Sequence, residues 1–190
     1  MLFSILFILA FFFVDSSLQQ NALNYIKVCD HDYKQQIVSA INEKRELHQS
    51  TPPLVLDESN DDLVTYTQQK AQFQVMWATF PGIPMPAVPV PSINFTQLDL
   101  TLTYTLSTPA SLINELYSRG AEGYQYFETE PTEEARLRYE DFTQMIWAST
   151  QQVTLGCADG PFNQRFLVAA FLPPGNVVGQ FASNVRRPKV

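Results

Sequence analysis

Cysteine and histidine are scarce in this sequence, two of each in 190 residues. Zinc sites built on several cysteines are thereby excluded, and a multi-histidine metal centre would need both histidines at once. Basic residues are also few, 12 against 19 acidic ones, giving a formal charge of −7 and a pI near 4.7. Such a chain has no basic stripe to neutralise phosphates, which argues against a nucleic-acid partner. After the first residues there is no run of about 18 apolar positions, so no later membrane span is expected. Nothing repeats internally, no linker is long enough to separate domains, and the length suits one domain with a sizeable core.

What is present begins with an apolar leader. Residues 2–14 are apolar except Ser4, too short a run to cross a roughly 30 Å hydrocarbon core as a helix. Val14-Asp15-Ser16 offers cleavage after Ser16 or Ser17, so 1–16 is expected to be a signal peptide, although no Lys or Arg precedes the apolar run. An uncleaved anchor is the alternative. Export predicts a secreted, extracellular protein with no stable membrane span. In an oxidising compartment Cys29 and Cys157 could close one disulfide, the alternatives being free thiols or a bond to another chain. Asn94-Phe95-Thr96 is the one glycosylation sequon, used only if that segment is exposed.

Apolar spacing sketches the elements. Ile37, Val38, Ile41 and Leu47 recur among charged residues over 33–48, a surface helix with one buried stripe that Pro52-Pro53 stops. A second helix is expected from Asp57 or Ser59 to about Met76, with Asp61 and Asp62 at its positive end and Leu63, Tyr66, Ala71 and Val75 on its inner side. Five prolines over 80–91 exclude both helix and central strand. Leu98, Leu100, Leu102, Tyr104 and Leu106 alternate with polar residues, as in a strand with one buried face. Thr108-Pro109 opens a short helix ending at Gly120, and 133–147 forms one further helix. Strands over 153–158 and 165–171, joined by Asp159-Gly160-Pro161, make an antiparallel pair. This mixture predicts an α+β or layered α/β/α domain.

Two segments carry more. Asp141-Phe142-Thr143-Gln144-Met145-Ile146-Trp147 resembles the H-F-T-Q-M-V-W signature of the CAP superfamily, the group of cysteine-rich secretory proteins, insect venom allergens and plant pathogenesis-related proteins. The apolar run from Phe166 leading into Leu172-Pro173-Pro174-Gly175-Asn176 is similar to that superfamily's other signature, Y-x-P-x-G-N. Ile41-Asn42, Arg45, His48 and Pro52-Pro53-Leu54 match its H-N-x-x-R-x-x-H and P-x-L pattern incompletely. The resemblance covers about 33–186 and implies a three-layer α/β/α sandwich with a mostly antiparallel central sheet: one domain over 33–190, preceded by an extension over 17–32. Read without the family, Phe142, Ile146 and Trp147 would face a core, and Gly175 could supply a positive φ after the last strand.

The resemblance also places a metal-binding tetrad of two histidines and two glutamates. Here the histidine opening the first signature is Asp141, one glutamate position is Ile93, and the other is Arg119, with Glu115 or Glu122 reachable by a shift. The second histidine would fall within 77–91, which contains none. The expectation is a degenerate member with no metal, no cofactor and no catalytic residues, in which Asp141 and Arg119 form an ion pair. His31 belongs to the start of the first helix and His48 to packing or hydrogen bonding at its end. No nucleophile elbow is present.

The proline segment presents Phe80, Ile83, Met85, Val88 and Val90 between prolines, a stiff loop with little backbone entropy left to lose. It either folds over the domain's own core or contacts a lipid or protein. The expected function is an extracellular interaction module, its partner an unidentified protein or lipid. A lipid or sterol carrier using that loop is the alternative, and a metal-dependent hydrolase is disfavoured because its ligands are missing.

Overall fold

The computed structural model describes residues 26–81, 87–103, 108–126, 129–161 and 164–189, by backbone alone at 98 and 100–103. The expected signal peptide over 1–16 lies outside the described residues. Helix α1, His31–Glu46, starts where the Asp30 carboxylate accepts from Tyr33 N (2.8 Å) and ends with Lys44 and Arg45 in its last turn, charges that suit each end of the helix dipole. It therefore begins inside the stretch expected as an extension. Strand β1 is Val55–Leu56. Helix α2, Asp61–Thr79, is capped by Asn60, whose side chain accepts from Leu63 N. Asp57 does not cap it, because its carboxylate binds Ser59 instead, and the helix runs three residues past Met76 to the edge of the proline segment.

Strand β2 spans Thr96–Thr103; Tyr104 and Leu106, expected to continue it, lie outside the described residues. Thr108 caps α3, Pro109–Ala121, with proline at its first position. The single helix expected over 133–147 is two short ones, α4, Glu133–Arg138, and α5, Glu140–Met145. Tyr139 separates them at φ −116°, ψ 15°, outside helical geometry. Strands β3, Gln152–Asp159, and β4, Gln164–Leu172, follow, then one turn of helix, α6, Phe181–Asn184.

The sheet order is β1-β3-β4-β2, with β1 parallel to β3 and the other pairs antiparallel. Side chains alternate between its two covered faces, which is why β3 and β4 read as nearly unbroken apolar runs. Ala158, Phe166 and Val168 meet Ala71 and Val75 of α2 on one face. Leu155, Leu167, Ala169 and Phe171 join Ile37, Ile41, Ile113, Phe142 and Trp147 in the larger core on the other. The architecture is thus the three-layer sandwich with a mostly antiparallel sheet. Gly156 lets α2 lie close: a Cβ there would stand 2.2 Å from the Thr67 carbonyl carbon. Cys29 and Cys157 form a disulfide, Cα–Cα 5.5 Å, between positions 128 residues apart. Beside it Val28 pairs with Ala158, and Asp159 N donates to Lys27 O.

Candidate functional site

The two signature segments lock onto each other. Thr143 donates to Asn176 Oδ1 (2.7 Å), Asn176 Nδ2 donates to Glu140 O (2.9 Å), and Thr150 Oγ1 donates to Pro173 O (2.9 Å). Asn176 carries the positive φ, 54°, that was expected at Gly175. Gly175 has a different reason to be glycine, since a Cβ there would stand 2.4 Å from Gln144 Oε1. Phe142, Ile146 and Trp147 are buried, as expected.

Arg45 extends this scaffold. It is wholly buried and donates to the carbonyls of Pro52 (2.7 Å), Met145, Trp147 and Thr150 (each 2.9 Å). Four carbonyl dipoles solvate the guanidinium where no carboxylate does, and burial pulls its pKa down to about 10. His48 is buried too. Its Nδ1 faces the Arg186 carbonyl, which can only accept, so the proton sits on Nδ1 and Nε2 accepts from the Tyr117 hydroxyl (2.9 Å). Burial, helped by the charge of Arg45, holds this imidazole below its ordinary pKa against the opposing bond to Arg186 O. His31 lies in the first turn of α1, 2.6 Å from the Glu58 carboxylate, which Lys34 also reaches at 3.2 Å. Partial burial would raise the Glu58 carboxyl, but these two hydrogen bonds outweigh it and hold it below the ordinary value. Both histidines are therefore engaged by neighbours in the fold.

At the positions that the resemblance assigns to the tetrad, Asp141 is half-buried in the first turn of α5 and lines a small apolar cavity, about 20 Å³, with Ile37, Ile41, Ile113, Met145 and Leu167. Burial raises its pKa, and the charge of Arg119 opposes the rise. Arg119 is exposed on α3 and pairs with Glu115 four residues earlier, so the expected ion pair with Asp141 does not form; the two meet only as charges at longer range. Ile93 is partly buried in the turn before β2. Among the described residues no three of His, Cys, Asp and Glu converge to hold a metal. Asn94 is exposed, as its sequon requires.

The larger concavity lies on the α2 face. Lys70, Phe73, Gln74, Trp77 and Ala78 form one wall, Pro81, Ala87 and Val88 another, and Gln164 and Phe166 complete a groove of about 700 Å³. Trp77 is 61% exposed, and Phe80 and Val90 also face solvent. Ile83 and Met85 lie outside the described residues. The expected loop thus contributes Val88, while Phe73 and Trp77 are additions. Their signal was in the sequence: positions 70, 73, 74, 77 and 78 repeat with helical spacing along the flank of the buried stripe of α2.

No family model matches the chain. A segment of 56 residues is 39% identical to a probable pathogenesis-related protein of Arthroderma benhamiae, covering 25% of this chain and 18% of that protein. Among solved structures, BmVAL-1 superposes with a TM-score of 0.58 at 14% identity, covering 85% of this chain and 84% of that one. The venom allergen-like protein 4 of Schistosoma mansoni does so with a TM-score of 0.52 at 10% identity, covering 85% and 97%. The fold is the CAP fold.

Proposed function

We propose that the chain is a secreted CAP-superfamily protein that acts outside the cell by recognition, without catalysis. The observation that carries this reading is the state of the tetrad positions: a carboxylate against an apolar cavity, an exposed arginine paired along its own helix, and an isoleucine. Isoleucine and arginine cannot ligate a divalent cation, and one carboxylate is too few for a structural or catalytic site. The likeness to a pathogenesis-related protein and to venom allergen-like structures supports an extracellular setting. Metal analysis of the purified protein after exposure to zinc tests the reading. Substoichiometric metal and no hydrolysis are expected; one tightly held zinc per chain, with hydrolytic activity that a chelator removes, would overturn it.

The α2 groove favours a second reading, a lipid or sterol ligand. Its apolar wall includes Trp77, so the part of the energy transfer from tryptophan to a fluorescent sterol that is lost in Trp77→Phe reports on this groove. Val88→Asp is expected to weaken such binding about tenfold or more, as one buried charge costs over ~1.4 kcal/mol. No transfer, or transfer unchanged by Val88→Asp, discards the lipid reading.

A further inference from the structure

We propose that the C-terminal arginine pair forms a binding site for the sulfo group of a sulfated extracellular glycan. Arg186 and Arg187 line a depression of about 420 Å³ with Gln49, Tyr126, Ala182, Ser183 and Val185, none of them acidic. The site is separate from the α2 groove and takes from the recognition reading only its extracellular setting.

The backbone beneath the pair is pinned. His48 Nδ1 donates to Arg186 O, Gln49 N donates to Arg187 O (3.0 Å), and Lys189 N donates to Leu47 O (2.8 Å). The guanidiniums are oriented as well. Arg186 Nε donates to Ser183 O (3.0 Å), and Arg187 donates through Nη2 to Tyr126 O (3.1 Å) while lying 6.0 Å from the Tyr126 ring centroid. Each guanidinium has five N–H donors, so most remain for a ligand. In a chain of charge −7, Arg119, Arg136 and Arg165 have carboxylate partners within 4.0 Å and the buried Arg45 is held by carbonyls; among the described residues Arg138, Arg186 and Arg187 have no carboxylate partner, and only the last two adjoin each other. An acidic protein has here left two held cations open to solvent.

The donor set selects the ligand. One arginine fork saturates the two oxygens of a carboxylate, whereas a sulfo group offers three acceptor oxygens to two forks and stays ionised throughout the physiological range. Gln49 and the Tyr126 ring can meet the hydroxyls and the apolar face of the attached sugar. Lys189, two residues on, lengthens the basic strip along a chain-like ligand.

The test is calorimetric titration of the purified protein with a heparin-derived octasaccharide at about 0.15 M salt. Desulfated octasaccharide, polyglutamate and inorganic sulfate are titrated in parallel. Binding is expected to fall about tenfold or more in Arg186→Gln/Arg187→Gln, to persist in Arg138→Gln, an exposed arginine elsewhere, and to vanish with the desulfated chain. Absence of binding, an unaffected double variant, or equal affinity for polyglutamate would overturn the proposal. Free sulfate binding as tightly as the octasaccharide would overturn the glycan assignment. If the double variant fails to fold, side-chain NMR signals of the unmutated protein decide, since octasaccharide-induced shifts must centre on Arg186 and Arg187. Trp77→Ala and Val88→Asp leave this binding unchanged, so failure here and failure of the groove reading are separable.

Discussion

Asp141 bears a charge in a place that disfavours it. Its carboxyl is drawn toward the neutral form by an apolar cavity, and Arg119 only partly compensates. Because the folded pKa lies above the ordinary 3.8, the native state binds its proton more readily than the unfolded chain does, and this group's contribution falls as pH rises through that interval. Asp141→Asn is therefore expected to raise the melting temperature at pH 7, with the gain shrinking as pH falls toward 4. Equal gains at both pH values, measured by scanning fluorimetry, would remove the account. His48 acts in the opposite sense. Its depressed pKa means that acidification below the ordinary 6.5 favours the unfolded chain, which takes up the proton the folded protein resists.

Among the elements, the crossing of α3 and α5 depends most on one small residue. A Cβ on Gly120 would stand 2.2 Å from the Phe142 Cβ, so Gly120→Ala must push the helices apart in a closely packed core. A loss of about 1–3 kcal/mol is expected in urea unfolding; a neutral result would show that α5 can shift freely. Gly120 was legible only as a helix end, because nothing local states that a neighbouring helix needs its missing side chain. The same holds elsewhere. Most of helix α1, the inner face of α2 and strands β2 to β4 could be read because apolar spacing is local, whereas Leu47, expected on the buried stripe, is exposed at the end of α1 and the two-residue β1 is too short to show a pattern. The split at Tyr139 could not be read, since 133–147 keeps a helical pattern while Asn176, 33 residues beyond Thr143, binds Thr143 and the Glu140 carbonyl at the start of α5. The tetrad positions could be assigned residue by residue, but not the pairing of Arg119 with Glu115 rather than Asp141. Arg45 stood out as a motif residue, yet its four carbonyl partners come from separate stretches of chain.

Across the molecule, the disulfide joins the first described segment to the middle of the sheet. A separation of 128 residues is long enough for the chain-entropy argument to give about 4–5 kcal/mol. Cys29→Ser/Cys157→Ser is expected to lower unfolding stability by about that amount in chemical denaturation, and a difference below about 1 kcal/mol would assign the stability to packing alone.

The pairing of residues 27–29 has one more consequence. Strand β1 covers β3 only at Gln152 and Val153, and the Lys27–Cys29 segment hydrogen-bonds the same strand at its far end, around Cys157 and Asp159. Two unrelated pieces of chain thus shield an edge that would otherwise invite another molecule's strand. Reducing the disulfide frees one of them, so loss of the bond should be felt first as self-association through β3, before the domain itself melts.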